Sequence, residues 1–195
     1  MTRFEATRIV VDSLQREPVV ASLGHPAYDL YGCGDRAENF YTWGSMGVTS
    51  SIALGLALAR PDLRVVAIDG DGSLLMNLGT LATVAACRPV NLLVVVMDNA
   101  CYGTTGGQPT FTAGRANLEE AARALGITTA ASVRTPGELG AALATSRQIT
   151  GPSVIVAKVE ESTPGARPPV DCVFIKQRFM AAIGNPEPGT RGNHA

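Results

Sequence analysis

The segment Ile68-Asp69-Gly70-Asp71-Gly72-Ser73 sets a carboxylate between two glycines, after an aliphatic run and before a helix-like stretch. The glycines let the backbone turn sharply and approach a ligand closely. The first turn of the following helix offers unpaired N–H groups to an anion such as a diphosphate. Asp71 adds a hard oxygen of the kind magnesium takes. Twenty-six residues after Gly72, a second aliphatic run ends in Asp98-Asn99-Ala100-Cys101-Tyr102-Gly103. Asn99 brings an amide oxygen, and Cys101 a backbone carbonyl. Magnesium favours octahedral oxygen coordination with few protein ligands and substrate phosphates, so two phosphate oxygens and a water would complete the shell of Asp71, Asn99 and Cys101.

Three further stretches carry candidate groups. Trp43-Gly44-Ser45-Met46-Gly47 precedes a helix-like stretch, and by residue type alone Met46 reads as an adaptable core filler. In Ser22-Leu23-Gly24-His25-Pro26, His25 is either a donor to phosphate or substrate, or a surface-loop histidine with no role. Thr104-Thr105-Gly106-Gly107-Gln108 follows the second carboxylate turn. Its hydroxyls, amide and glycine N–H groups can bind an oxyanion without a full positive charge, or the segment only shapes a loop.

These groups need a frame that brings them together. The runs Val19–Leu23, Val65–Ile68, Leu92–Met97 and Ser153–Ala157 are short and aliphatic, interrupted only by Ser22 and opened by Ser153, as in strands buried on both faces of a parallel sheet. Thr49–Ala59, Leu74–Ala86, Leu118–Leu125 and Pro136–Ser146 fit crossover helices, with Pro61 closing the first and Gly126 the third. Strand and helix alternation predicts an α/β three-layer sandwich with a mostly parallel central sheet, in which ligands bind beyond the carboxyl ends of the strands. Gly24-His25, Asp69 to Ser73 and Asp98-Asn99 stand at those ends. One domain is expected over residues 1–184, followed by a Gly-, Pro- and polar-rich tail, 185–195, expected to be disordered.

Composition narrows the classes. The 195 residues are 46% hydrophobic and 17% charged with a formal net charge of −1, which suits a packed globular protein and makes nucleic acid and anionic membrane unexpected partners. The N-terminus lacks an apolar signal-peptide core, and the aliphatic run Leu92–Met97 is too short to span a bilayer, so the expected location is the cytoplasm. The four cysteines, Cys33, Cys87, Cys101 and Cys172, form no Cys-x-x-Cys pair, and reduced thiols are expected.

Gly70-Asp71-Gly72, some two dozen residues, then Asn99 resembles the thiamine-diphosphate enzyme motif. The resemblance implies that Asp71, Asn99 and the Cys101 carbonyl hold Mg2+, with Gly24, His25, Gly70, Gly72, Ser73, Tyr102 and Gly103 around the diphosphate. The Trp43–Gly47 turn resembles the superfamily's aminopyrimidine-binding turn, with Gly44, Ser45 and Met46 beside the pyrimidine. There the Gly44 carbonyl would accept from the 4′-amino group, and Met46 would wedge between the rings. Asp71–Leu81 and Asp98–Thr110 are similar to phosphonopyruvate decarboxylases and the beta subunit of sulfopyruvate decarboxylase, over a span from about Val19 to about Lys158. The implied activity is non-oxidative decarboxylation of a small 2-oxoacid to an aldehyde, with Thr104, Thr105 and Gln108 near substrate.

Two departures stand out. Where such relatives carry Ser or Thr, a basic residue and Glu, this chain has Ala27, Tyr28 and Asp29, which leaves an anionic substrate tail without that cation. The glutamate that activates the cofactor is expected on a pyrimidine-binding partner subunit, because Glu5, Glu17 and Glu38 lie outside any matching motif. A nicotinamide-binding domain lacks its Gly-x-Gly-x-x-Gly, and the beta subunit of a 2-oxoacid:ferredoxin oxidoreductase would carry cluster cysteines. A split acetolactate-synthase-like carboligase subunit and a non-catalytic regulatory subunit remain as alternatives.

Overall fold

A computed structural model describes residues 1–184; the tail 185–195, expected to be disordered, lies outside the described residues. Strands β1 (Val19–Ala21), β2 (Asn39–Tyr41), β3 (Val65–Gly70) and β4 (Leu92–Asp98) come from the first half of the chain. A two-residue hairpin, β5 (Cys101–Tyr102) and β6 (Gln108–Pro109), follows, and then β7 (Thr129–Val133) and β8 (Ser153–Lys158). Six of these make one sheet in the order β2-β1-β3-β4-β8-β7, with every neighbouring pair parallel. The hairpin stands apart and is antiparallel.

Helices cover both faces. Strand side chains alternate in direction, and the core divides accordingly. Val66, Ile68, Leu93, Val95 and Met97 face α1 (Arg3–Asp12), α2 (His25–Gly32), α7 (Pro136–Gln148) and α8 (Cys172–Ala182). Val65, Ala67, Leu92, Val94 and Val96 face α3 (Thr49–Ala59), α4 (Asp71–Met76), α5 (Gly79–Cys87) and α6 (Leu118–Ala124). This is the expected three-layer sandwich. Among the described residues no helix is long and apolar enough to cross a membrane, and the four cysteines are free thiols.

The structure adds elements that hydropathy alone did not mark. Strands β2 and β7 and helices α1, α2 and α8 were not predicted. The expected helix Leu74–Ala86 is two helices: Asn77 leaves helical geometry at φ −138°, ψ 51°, and α5 restarts at Gly79. Helix α1 is signalled by a capping box in which Thr2 and Glu5 satisfy each other's backbone N–H groups. Strand β2 has only three residues, too few for periodicity to speak.

The chain runs outward from β1 to β2 and returns to β3 on the other side of β1. The switch between β1 and β3 opens a crevice at the carboxyl edge, the usual place for a ligand in such sheets. Ile68 underlies this edge and is fully buried. Ile68→Ala is expected to lower stability by about 2–5 kcal/mol through lost burial and the cavity left behind, measured by denaturant unfolding; a change below ~1 kcal/mol contradicts this placement of the core.

Candidate functional site

Two adjacent strand ends deliver the predicted metal ligands. The β3–β4 ladder pairs Val65 with Leu92 and continues to Gly70 opposite Met97. Asp71 therefore leaves β3 beside the point where Asp98-Asn99 leaves β4. Gly70 is extended at φ −99°, ψ 154°, and the chain enters α4 at once, with no side chain capping its first turn.

The carboxylates at this edge are held by hydroxyls. Asp71 Oδ2 accepts from Thr110 Oγ1 at 2.5 Å and Thr112 Oγ1 at 3.0 Å. Both hydroxyl bonds fall on one oxygen, so Oδ1 is kept from these donors. Thr112 also lies 2.8 Å from Asp98 Oδ1, which accepts from the Ala100 N–H at 3.1 Å. The second oxygen of Asp98 pairs with Lys158. These bonds hold Ala100 in the left-handed region at φ 59°, which swings Asn99 and Cys101 out of the strand direction. Burial and the charge of Asp98 raise the Asp71 pKa, against the two threonine hydroxyls. A carboxylate so placed gains from a nearby cation.

The Gly44–Gly47 turn is tied to the Gly70–Ser73 turn by serines. Ser73 Oγ accepts from the Gly47 N–H at 3.0 Å and from Ser22 Oγ at 3.3 Å, and it also hydrogen-bonds Asp69. Ser73 was expected to contact the cofactor; its hydroxyl is used within the protein, which leaves its backbone for a ligand. Asp69 is fully buried and accepts from Ser50 Oγ at 2.9 Å and the Gly70 N–H at 3.0 Å. Burial raises its pKa despite those donors. Through this hub the Gly44–Gly47 turn is registered against the Gly70–Ser73 turn. Ser45 sits at φ 59° and Gly47 at φ 91°. Strained non-glycine residues often mark functional turns, and Ser45 and Ala100 both fall here. Met46 is in neither core cluster and lines the cleft, so the core-filler reading fails.

His25 was expected in a loop, and it is instead the first residue of α2. Gly24 at φ 76° makes the corner, and Pro26 in the first turn favours helix initiation. Ala27 and Asp29, the departures noted above, turn inward and are buried. Asp29 pairs with Arg3 Nε at 2.6 Å, and Arg3 lines the cleft. A guanidinium thus arrives from α1 near the place where the first loop lacks a cation. Burial and Arg3 push the His25 pKa below its ordinary value, against Glu161, which favours the neutral imidazole with one N–H to give. Beyond β8 the chain crosses this edge as an irregular strap. The Ser162 carbonyl accepts from Arg3, Arg167 stacks 5.0 Å over the Tyr28 ring, and the Pro169 carbonyl accepts from Trp43 Nε1.

These elements bound an open cleft at the carboxyl edge of the sheet. Predicted residues lining it are His25, Met46, Gly70, Asp71, Gly72, Ser73, Asn99, Cys101, Tyr102, Gly103, Thr104 and Thr105. Gly24 abuts Thr104, where a Cβ would meet Thr104 Cγ2 at 2.8 Å. Gly44 and Ser45 are exposed beside Met46 and outside the lining. Gln108 does not reach the cleft: it folds over Gly106 and bonds Thr105 within the hairpin. Glu5 caps α1, Glu17 pairs with Arg147 and Glu38 with Arg36, so none of these glutamates enters the cleft. Sequence reasoning missed Arg3, Thr112 and Glu161, and it gave no role to Thr110 or to Asp69 and Asp98, which it had placed at the strand ends. Asp98 abuts the motif and Glu161 closely follows a strand, so position was a usable signal for those two.

The donor set suits a divalent cation with a diphosphate: one carboxylate, one amide oxygen, one backbone carbonyl. Gly72 lets the turn pack against the neighbouring hairpin, since a Cβ there would lie 2.4 Å from the Tyr102 ring. Sulfopyruvate decarboxylase subunit beta of Methanocaldococcus jannaschii is 41% identical over 93% of this chain and 96% of its own length. Phosphonopyruvate decarboxylase of Streptomyces viridochromogenes is 36% identical over 97% of this chain and 48% of its own. The solved structure of an enzyme from Mycobacterium smegmatis, described as thiamin diphosphate-dependent, superposes with a TM-score of 0.72 at 25% identity; it matches 83% of this chain, which spans 32% of that structure's length. The family model for the thiamine pyrophosphate enzyme C-terminal TPP binding domain matches residues 26–157, and the chain belongs to that family.

Proposed function

We propose that this chain is the cofactor-binding subunit of a thiamine-diphosphate-dependent 2-oxoacid decarboxylase of the sulfopyruvate or phosphonopyruvate type, working with a pyrimidine-binding partner subunit. The observation that carries the reading is the meeting of Asp71, Asn99 and Cys101 in one cleft with the glycine turn Gly70–Gly72. The near full-length likeness to a sulfopyruvate decarboxylase beta subunit supports both the reaction class and the subunit arrangement.

In this reading Asp71, the Asn99 amide oxygen and the Cys101 carbonyl hold Mg2+. Backbone N–H groups at Gly72 and Ser73 meet the diphosphate. The Gly44 carbonyl would accept from the pyrimidine amine, and Met46, at the cleft wall, would pack against the cofactor. Bound thiamine diphosphate supplies the electron sink that lets a 2-oxoacid lose carbon dioxide. His25 and the hydroxyls of Thr104 and Thr105 are polar groups of this chain that line the cleft and can meet a substrate. Arg3 at the wall is already paired with two carboxylates, Asp29 and Glu161, so it brings no net positive charge to the cleft. Glu161 bonds the Asn99–Cys101 turn and not the Gly44–Gly47 turn, so it does not replace the activating glutamate assigned to the partner. The partner also excludes water from the reacting carbon. Exposed Met76 and Phe111, on α4 and just after β6, offer apolar surface beside the cleft for that contact.

Purified alone with thiamine diphosphate and Mg2+, the chain is expected to release no carbon dioxide from any 2-oxoacid, since general acid–base help worth roughly 10²–10⁴-fold is missing. Assembled with a pyrimidine-binding subunit, it should prefer sulfopyruvate or phosphonopyruvate over pyruvate, and all three over a bulky aromatic 2-oxoacid. Robust turnover by the lone chain, or preference for the aromatic acid, contradicts the proposal. Met46→Ala should lower kcat of the assembled enzyme more than cofactor affinity, because near-attack geometry is lost. Equal losses in both, measured by steady-state kinetics and calorimetry, would remove Met46 from that role.

A further inference from the structure

Glu161 lies in the strap after β8, outside the residues matched by the family model. Both of its oxygens are engaged. Oε1 accepts from the Asn99 side-chain amide and from Cys101 Sγ at 3.3 Å. Oε2 accepts from Arg3 Nη1 at 2.6 Å and lies 3.7 Å from His25 Nδ1. Arg3 is immobilised in turn by Asp29 at 2.6 Å and the Ser162 carbonyl at 2.5 Å. Its side chain is 2% exposed, while that of Glu161 is 43% exposed. A Cβ on Gly103 would lie 2.4 Å from Glu161 Oε1, so the absence of a side chain there gives the carboxylate its seat.

This arrangement sets the sense in which the Asn99 amide is held. An asparagine amide has two donors at one end and an acceptor at the other. The reversed amide would set Oδ1 against a carboxylate, which is repulsive, and would turn the NH2 group toward the Cys101 N–H. In the observed sense Oδ1 receives one long contact, 3.4 Å, from the Cys101 N–H, and its lone pairs remain available. We propose that Glu161, locked in place by Arg3, is a positioning residue that fixes the Asn99 amide with its oxygen presented to the divalent cation. This rests on the assignment of Asn99 as a metal ligand. It gives the chain a reason to couple α1 and the strap to the metal turn, since outer groups that orient a ligand affect metal affinity nearly as strongly as some ligands do.

The test is a Mn2+ titration of the full chain at saturating thiamine diphosphate, read by loss of the electron paramagnetic resonance signal of free Mn2+. Glu161→Ala should weaken binding about 10–100-fold, with the metal-free thermal midpoint close to native. Glu161→Gln keeps an oxygen for the Asn99 amide and should recover most of the affinity. Native affinity in Glu161→Ala together with loss in Asn99→Ala would overturn the positioning role and leave the ligand assignment standing. Native affinity in Asn99→Ala, or no saturable Mn2+ on the unsubstituted chain, would overturn both. Glu161→Gln as weak as Glu161→Ala would also overturn the orienting role. Should Glu161→Ala fail to fold, the Asn99 side-chain amide of the unsubstituted chain decides: one of its protons should be shifted downfield in a 15N correlation spectrum by the charged acceptor, and an ordinary shift overturns the proposal.

Discussion

The parallel ladder between β3 and β4 is the constraint from which the site follows. With Gly70 opposite Met97, the residues after the two strands emerge side by side, and Asp71 meets the Asp98–Cys101 turn without any long-range adjustment. A slip of one residue would send alternate side chains to the other face, exchanging Ile68 and Val95 with Ala67 and Val94 between the two cores. The packing of both layers thus fixes the register that brings the site together. Core and site are specified by the same hydrogen bonds.

Three carboxylates gather at this edge, and each is satisfied differently. Asp69 is fully buried beneath the turns and ties Ser50, Ser73 and Gly70 together. Asp98 pairs with Lys158 and sets the turn that holds Ala100 in left-handed geometry. Asp71 receives hydroxyls on one oxygen alone. Unpaired charge at low dielectric is costly; of the three, Asp98 alone has a basic partner, Asp69 is buried among neutral donors, and Asp71 is the one that lines the cleft. Under the proposed function, position at the cleft makes Asp71 the ligand and leaves Asp69 and Asp98 to organise the turns around it.

Much of the frame was legible in the sequence because short aliphatic runs and the Gly-Asp-Gly turn report directly on buried parallel strands and close backbone approach. The limits of α3 were read to the residue, and Gly126 does follow α6 in left-handed geometry at φ 104°. Strand β2 escaped because three residues carry no period, and α2 because its first turn, His25-Pro26, reads equally as a loop. Gln108 was expected near substrate because it follows the metal turn, but the hairpin folds it back onto Gly106. Arg3 and Glu161 could not be found by motif. They are 158 residues apart and meet only because the Thr2–Glu160 bridge lays the N-terminus against the chain after β8.

The central claim is that Asp71 anchors thiamine diphosphate through a divalent cation. Isothermal titration of the full chain with thiamine diphosphate and Mg2+, compared with Asp71→Ala, tests it most directly. The account predicts that the variant keeps its fold by circular dichroism and loses at least about 100-fold in affinity, because outer-sphere groups alone are worth about 10–100-fold. Unchanged affinity in a folded Asp71→Ala variant would contradict it.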